Sequence, residues 1–364
     1  MRKHVALLKV GRLLFLALLV LATFGCDRGQ ETRQARPVLR VASWGGAYQE
    51  AQRTAFFEPF EREFGVDIQE SGTPPYSKFY EWQTQGTAPV DVVDVETFFV
   101  LRGGERGALR PLTIPPDLKQ SLMRGATTPF GVATVAYADV IAWNSGAHPE
   151  WKNLTWQNFW DTNAYPGPRG LRDLPASSLE AALLADSVPL DSLYPLDVDR
   201  AFRKLDELRS RTRLTLWSSG STPIEWLTGN TVAMSTAWNG RVFDAQHPHE
   251  GPALPITMTF PDGAMIDWLW WVIPKNAPNP ELAQQFILFT LRPDRQAAIA
   301  RLIPYGPTNQ EAVRSLPDSI AQRLPSTPGN MQRMVVRDNA WWATNIDAVE
   351  ERWRVWKISG GSGS

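Results

Sequence analysis

The stretch V-A-M-S-T-A-W-N-G-R, residues 232–241, decides how this chain reads. Residues 232–234 form a short apolar run suited to a buried strand, and it leads into Trp238-Asn239-Gly240-Arg241. Asn and Gly tolerate the dihedrals of turns and helix caps, so a strand ends here with an indole face and a guanidinium projecting past it. Open α/β sheets bind ligands just beyond the carboxyl ends of their strands. A Trp face suits an apolar or cationic body, and the Arg fork suits a carboxylate. By itself the stretch also admits a plainer reading, with Trp238 in the core and Arg241 a solvated side chain.

Working outward, residues 38–44 (V-L-R-V-A-S-W) alternate as a strand, and 48–64 repeat apolar residues at helical spacing before Gly65, a C-cap signal. Residues 66–68 begin a second strand, and strand–helix–strand opens a doubly wound sheet. V-D-V-V-D-V at 90–95 is a third strand, with Glu96, Thr97 and Phe98 at its carboxyl end and a helix expected over 101–109. The long apolar run 131–143 suits a strand that crosses between two lobes. G-L-R-D at 170–173 ends another strand and precedes a helical run from Ser177. The strand 214–217 is followed by the polar loop 218–222, which caps a helix or donates hydrogen bonds to an anionic group. Downstream lie D-W-L-W-W-V-I-P at 267–274, helices over 281–291 and 295–302, a turn at 303–307, and a helical last third ending near Lys357.

Composition narrows the function. A chain of 364 residues with 43% hydrophobic content supports two cores. Its formal net charge of −1 provides no general attraction for nucleic acid or an acidic membrane. The N-terminus reads as an export signal: Arg2, Lys3, Lys9 and Arg12 precede the apolar run 13–21, then A-T-F-G-C ending at Cys26. Cys26 is the only cysteine, so no intrachain disulfide forms. Its place after the apolar run resembles the lipobox of bacterial lipoproteins, although Thr23 stands where Leu is usual, and Asp27 resembles an inner-membrane retention signal. A soluble exported form is the alternative. Residues 27–37 read as a tether, and 358–364 as a flexible tail or added linker.

Bond-making chemistry finds no support. There is no G-x-S-x-G elbow, phosphate loop or G-x-G-x-x-G. The four histidines lack metal-ligand spacing, so neither a metal site nor a cofactor is expected. The residues that stand out sit at strand ends and are aromatic, polar or singly charged: Trp44, Glu96, Thr97, Phe98, Asp173, Ser177, Trp238, Arg241, Asp267, Trp268 and Tyr305. Such a set binds a ligand and catalyses nothing.

Taken in order, L-R-V-A-S-W-G-G-A-Y at 39–48, E-x-E-F-G-V at 61–66, D-V-V-D-V at 91–95, A-W-N-G-R at 237–241, the run 272–287 and Y-G-P-T-N at 305–309 resemble the extracytoplasmic solute-binding proteins of bacterial ABC importers, of the spermidine/putrescine-binding type. The resemblance implies an α/β, two-lobe periplasmic-binding-protein fold that closes by hinge motion. Lobe 1 would comprise 38–142 plus 269–309, and lobe 2 143–268 plus 310–357. Trp44, Thr97 and Phe98 would line one face of the cleft, and Trp238 and Tyr305 would wall it. The chain departs from the polyamine type at the acids that hold ammonium groups, which fall on Leu174, Ser177 and Leu269 with Asp173 and Asp267 nearby. A relative of the family that binds 4-aminobutyrate uses a Trp and Arg of this kind with one Asp. By that likeness the solute is a zwitterion, its carboxylate on Arg241 and its ammonium on Asp267, with a polyamine as the alternative. None of the seven Tyr is adjacent to another, unlike the paired tyrosines of ferric-iron binders. The implied partners are a small solute and a membrane permease, with no nucleic acid, contact with the membrane only through the lipid anchor, and a monomeric state. A secreted hydrolase or transferase, or a ligand-presenting sensor, are the alternative functions.

Overall fold

The computed structural model describes residues 36–248 and 251–359; the export signal, Cys26, most of the tether, His249 and the tail from 360 lie outside the described residues. Among these, the strands are β1 (Val38–Ser43), β2 (Asp67–Gly72), β3 (Val92–Glu96), β4 (Gly131–Asn144), β5 (Arg169–Arg172), β6 (Leu214–Trp217), β7 (Met234–Trp238), β8 (Ile256–Thr259), β9 (Met265–Val272), β10 (Gly306–Pro307) and β11 (Val335–Val336). The helices that matter for the site are α1 (Gly46–Gln52), α2 (Glu58–Phe64), α3 (Thr97–Glu105), α4 (Pro175–Ala185), α5 (Asn239–Gln246), α6 (Pro280–Thr290) and α7 (Asn339–Ser359). α1 runs into α2 through a π turn, Arg53–Phe57, whose Phe57 packs with Phe60 against Phe286 of α6.

The strand order is β2-β1-β3-β9-β4-β7-β5-β6. β1 pairs in parallel with β2 and β3, as a βαβ crossover requires. At the other end β5 pairs in parallel with β6 and β7. The two parallel groups are joined by β4, every residue of which is buried. Its first half, Gly131 to Ala138, pairs with β9, and its second half, Asp139 to Trp143, pairs with β7. The apolar run therefore pairs with strands on the sides of both parallel groups, and β10 pairs with Val135 and Ala136 in its first half.

Three local expectations shift. The central strand covers Met234–Trp238, because Ala237 and Trp238 pair with Val140 and Asp139 of β4; the turn-prone Asn239 and Gly240 open α5. The helix expected at 101–109 starts at Thr97, since Glu96 is extended (φ −82°, ψ 156°) and ends β3 directly. Within the expected turn at 303–307, Gly306 and Pro307 form β10.

The C-terminal helix α7 reaches Ser359 and touches both halves. Asp347 binds Arg102 and Arg106 of the α3 region, while Trp342 donates from Nε1 to Glu180 of α4 at 2.7 Å. Trp342 is fully buried. Trp342→Ala is expected to cost about 3–5 kcal/mol, because it leaves a cavity and removes a donor from Glu180. Chemical denaturation measures this, and a loss under about 1 kcal/mol would contradict the packing described.

Candidate ligand-binding site

The parallel strands direct their carboxyl ends toward one cavity walled mostly by aromatic rings. Trp44 follows β1, Glu96 ends β3, Arg172 ends β5 and Trp238 ends β7; all four line the cavity. Tyr48 of α1, Tyr137 of the crossing strand, Leu269 of β9 and Tyr305 complete the walls.

Trp238 meets its neighbouring rings edge to face. Trp238 lies 6.1 Å from Trp44, 6.1 Å from Tyr137 and 5.3 Å from Trp217, all near perpendicular. Tyr305 lies 5.2 Å from Tyr48. The Arg172 guanidinium stands 5.0 Å from the Trp238 ring, a cation–π contact that fixes the indole's orientation.

Arg241 reaches across the cleft from α5. Its Nη2 donates to the carbonyls of Gly45 at 2.7 Å and Trp44 at 3.2 Å, while its buried Nε has no partner. Two glycines make room for it. A Cβ on Gly46, which sits at φ 52°, would lie 2.3 Å from Arg241 Nη1. One on Gly220 would lie 2.7 Å from Trp238 and 2.9 Å from Arg241 Nε. The polar loop at 218–222 thus serves close approach; Ser221, at the helix N-cap, makes no side-chain capping bond.

Behind the cavity lies a buried ionic cluster. Arg172 binds Glu96 through both terminal nitrogens, at 2.9 and 3.3 Å, and Tyr137 donates to Glu96 at 3.0 Å. Arg337, from the segment after β11, donates to Asp267 Oδ2 at 2.8 Å and stands 3.5 Å from Asp139. Thr97, the Trp268 amide and Asn339 saturate Asp267 Oδ1. The Ser177 hydroxyl donates to Asp139 and accepts from Arg337, and Ser177 itself is left-handed at φ 73°. Burial raises Asp139 and Asp267 above the usual carboxylate range despite Arg337. Burial also works to raise Glu96, but Arg172 and Arg337 outweigh it and hold Glu96 below that range. Among the described residues no ion pair reaches Asp94, under Tyr48, and burial raises it to about 7. It accepts from Tyr48 at 2.8 Å and Gln52 at 2.9 Å, with Trp44 alongside.

Of the residues singled out in the sequence, Trp44, Glu96, Trp238, Arg241 and Tyr305 line the cavity together. Thr97, Ser177 and Asp267 lie one layer behind, in the ionic cluster, where Arg337 holds the Asp267 oxygen expected to face an ammonium. Asp173, Phe98 and Trp268 lie elsewhere. Asp173 turns to the C-terminal helix, accepting from Trp353 at 2.8 Å and Lys357 at 2.7 Å. Phe98 packs on Tyr76, 5.5 Å away. Trp268 packs against Ala136 and Ala138, since alternation along β9 sends it to the face opposite Asp267 and Leu269. Tyr48, Tyr137 and Arg172 are cavity residues that the sequence reading misses, although Arg172 shares the G-L-R-D stretch with Asp173 and strand parity distinguishes the two. Arg337 carries no local signal. Among the described residues no group of three or more His, Cys, Asp or Glu could hold a metal ion, and no helix is long and apolar enough to cross a membrane.

A family model described as bacterial extracellular solute-binding protein matches residues 55–325. The gamma-aminobutyric acid-binding protein of Pseudomonas aeruginosa is 33% identical over 347 residues, covering 92% of this chain and 95% of that one. The spermidine/putrescine-binding periplasmic protein of Escherichia coli is 24% identical over 277 residues, covering 72% of this chain and 76% of that one. Among solved structures, an ABC transporter substrate-binding protein from Bradyrhizobium japonicum superposes with a TM-score of 0.80 at 32% identity, covering 88% of this chain and 99% of that one. These are solute-binding transport proteins and not enzymes, and they share the two-lobe fold.

Asp94 gives the site a pH signature. Its folded-state value near 7 lies above the roughly 3.9 of an unfolded Asp, so between those values the native state holds the extra proton. Asp94 therefore makes stability fall as pH rises from about 4 to about 7, by about 1.4 kcal/mol for each pH unit crossed, with no further fall above. Asp94→Asn is expected to gain melting temperature on the wild type progressively across that window. Parallel melting curves for the two proteins would contradict an uncompensated Asp94.

Proposed function

Because the chain belongs to the bacterial extracellular solute-binding protein family, we propose that it captures, for an ABC importer, a small zwitterion of the 4-aminobutyrate kind, its carboxylate on Arg241. The observation that carries this reading is the donor balance of the cavity. Two guanidinia line it against a single carboxylate, Glu96, which Arg172 already engages. The buried unpartnered groups at the Trp238–Arg241 wall, Trp238 Nε1 and Arg241 Nε, are both donors. A carboxylate oxygen satisfies such donors, and each charge-assisted bond contributes about 1.5–3 kcal/mol.

Asp267 does not line the cavity, so Glu96, the carboxylate that does, is the acid placed to face the solute's ammonium, and the rings of Trp238 and Tyr305 flank the methylenes. A polyamine brings two ammonium groups to a cavity with one carboxylate already paired, and desolvating the second is heavily penalised. The name of the Pseudomonas aeruginosa relative supports the zwitterion.

Closure fits the same geometry. The boundaries proposed for the lobes, 38–142 plus 269–309 and 143–268 plus 310–357, put Trp44 and Gly45 on one lobe and Arg241 on the other. The Arg241 bonds to those carbonyls then latch the cleft. The liganded form would dock on a permease as a monomer. The family works outside the cytoplasm, and the sequence A-T-F-G-C-D at 22–27 supports a lipid anchor at Cys26 on the outer side of the inner membrane.

Tryptophan fluorescence titration tests the reading. 4-Aminobutyrate is expected to bind at least tenfold more tightly than putrescine, and Arg241→Ala to weaken it by about 10- to 150-fold, equivalent to one charge-assisted bond. Tighter binding of putrescine would overturn the assignment. Gly220→Ala, which drives a methyl into Trp238 and Arg241, is expected to weaken 4-aminobutyrate about tenfold while the protein stays folded; unchanged affinity would remove that wall from the site.

A further inference from the structure

Three carboxylates from three different strands converge between the halves of this fold: Glu96 from β3, Asp139 from β4 and Asp267 from β9. None is more than 3% exposed. Other buried charges among the described residues are met mainly by neutral groups. Asp94 is met by a hydroxyl and an amide, and Arg169 by the backbone carbonyls of Phe159 and Gly167. This cluster joins several acids and cations, and it touches the cavity through Glu96 and Arg172.

The group that joins all three acids is Arg337. Its guanidinium is fully buried, 2.8 Å from Asp267, 3.5 Å from Asp139 and 3.7 Å from Glu96. It also engages the Ser177 hydroxyl, whose residue is held left-handed at φ 73° in α4. A non-glycine residue in that conformation costs energy that the surrounding contacts must outweigh. Arg337 does not line the cavity and reaches a solute only through Glu96. With Arg172 and Arg241 it supplies three cations against the three acids, so the site balances before any solute enters. A balanced buried site suits a solute of zero net charge.

We propose that Arg337 is a positioning residue that sets the net charge of the solute this site accepts: it compensates Glu96, Asp139 and Asp267 internally, and without it the same carboxylates turn the cleft toward a cation. This rests on the zwitterion reading for the identity of the neutral solute, but the direction of the change does not.

Calorimetric titration of the wild type, Arg337→Gln, Arg337→Lys and the double variant Arg337→Gln/Asp267→Asn tests it, with 4-aminobutyrate, putrescine and glutarate as probes of net charge zero, two plus and two minus. For Arg337→Gln, the ratio of putrescine to 4-aminobutyrate affinity is expected to rise at least tenfold over wild type. Glutarate is expected to weaken further still. Arg337→Lys, which keeps the charge, is expected to recover most of the wild-type ratio. The double variant removes one acid with the cation, and its ratio is expected to return to within about threefold of wild type. A purely structural Arg337 would instead lower all three affinities alike, and the double variant would do no better; that result overturns the proposal. If Arg337→Gln fails to fold, as a melting curve would report, the double variant decides: three affinities each within about threefold of wild type support the charge role, and a uniform loss or a shift to putrescine overturns it. A wild type that prefers putrescine would refute the zwitterion reading, while a further rise of the ratio in Arg337→Gln would still support Arg337.

Discussion

A charge buried without compensation costs several kcal/mol, and this fold gathers five buried charges, Glu96, Asp139, Arg172, Asp267 and Arg337, into one cluster. Glu96, Arg172 and Asp267 come from strands that share no local sequence, and Arg337 comes from the far end of the chain. Each is buried only because the others are. The cluster therefore ties the crossing strand, both parallel groups and the segment before the C-terminal helix into one arrangement. Removing one member leaves its partners charged and dry, the situation in which buried ion pairs prove most costly.

The same constraint gives the cavity its character. Aromatic rings set edge to face supply shape and apolar area, while the ionic layer behind them decides which charges are welcome. Arg241 stands apart from that layer. Its carbonyl partners belong to the loop after β1, and Gly46 and Gly220 lack side chains where a side chain would push it aside. Under the proposed function, one guanidinium serves both as a latch between the halves and as the donor to the solute's carboxylate. Recognition here follows from the order of layers: donors at the wall, a paired acid beside them, and a compensated set beneath.

Much of the fold and part of the site are legible in the sequence. The strand–helix–strand opening and the apolar crossing strand announce themselves through local periodicity, and Trp44, Trp238, Arg241 and Tyr305 through their position at strand ends. The sequence favours Asp173 over its neighbour Arg172 because proximity along the chain does not reveal which face of a strand a side chain takes; Asp173 instead meets Lys357 and Trp353. Asp267 has the right charge and the right strand, yet its oxygens are occupied by Thr97, Asn339 and Arg337. Arg337 lies 160 residues from Ser177 and 70 from Asp267, in a stretch with no motif, and only tertiary packing brings it to the site. Long-range compensation of charge leaves no periodic trace.

The most direct test is a crystal structure of the protein grown with 4-aminobutyrate. The expected result has the carboxylate within hydrogen-bond distance of Arg241, the methylenes along Trp238, and the ammonium toward Glu96, with Arg337 still on Asp267. A bound molecule whose ammonium instead displaced Arg337 from Asp267, leaving Arg241 without an acceptor, would contradict the account.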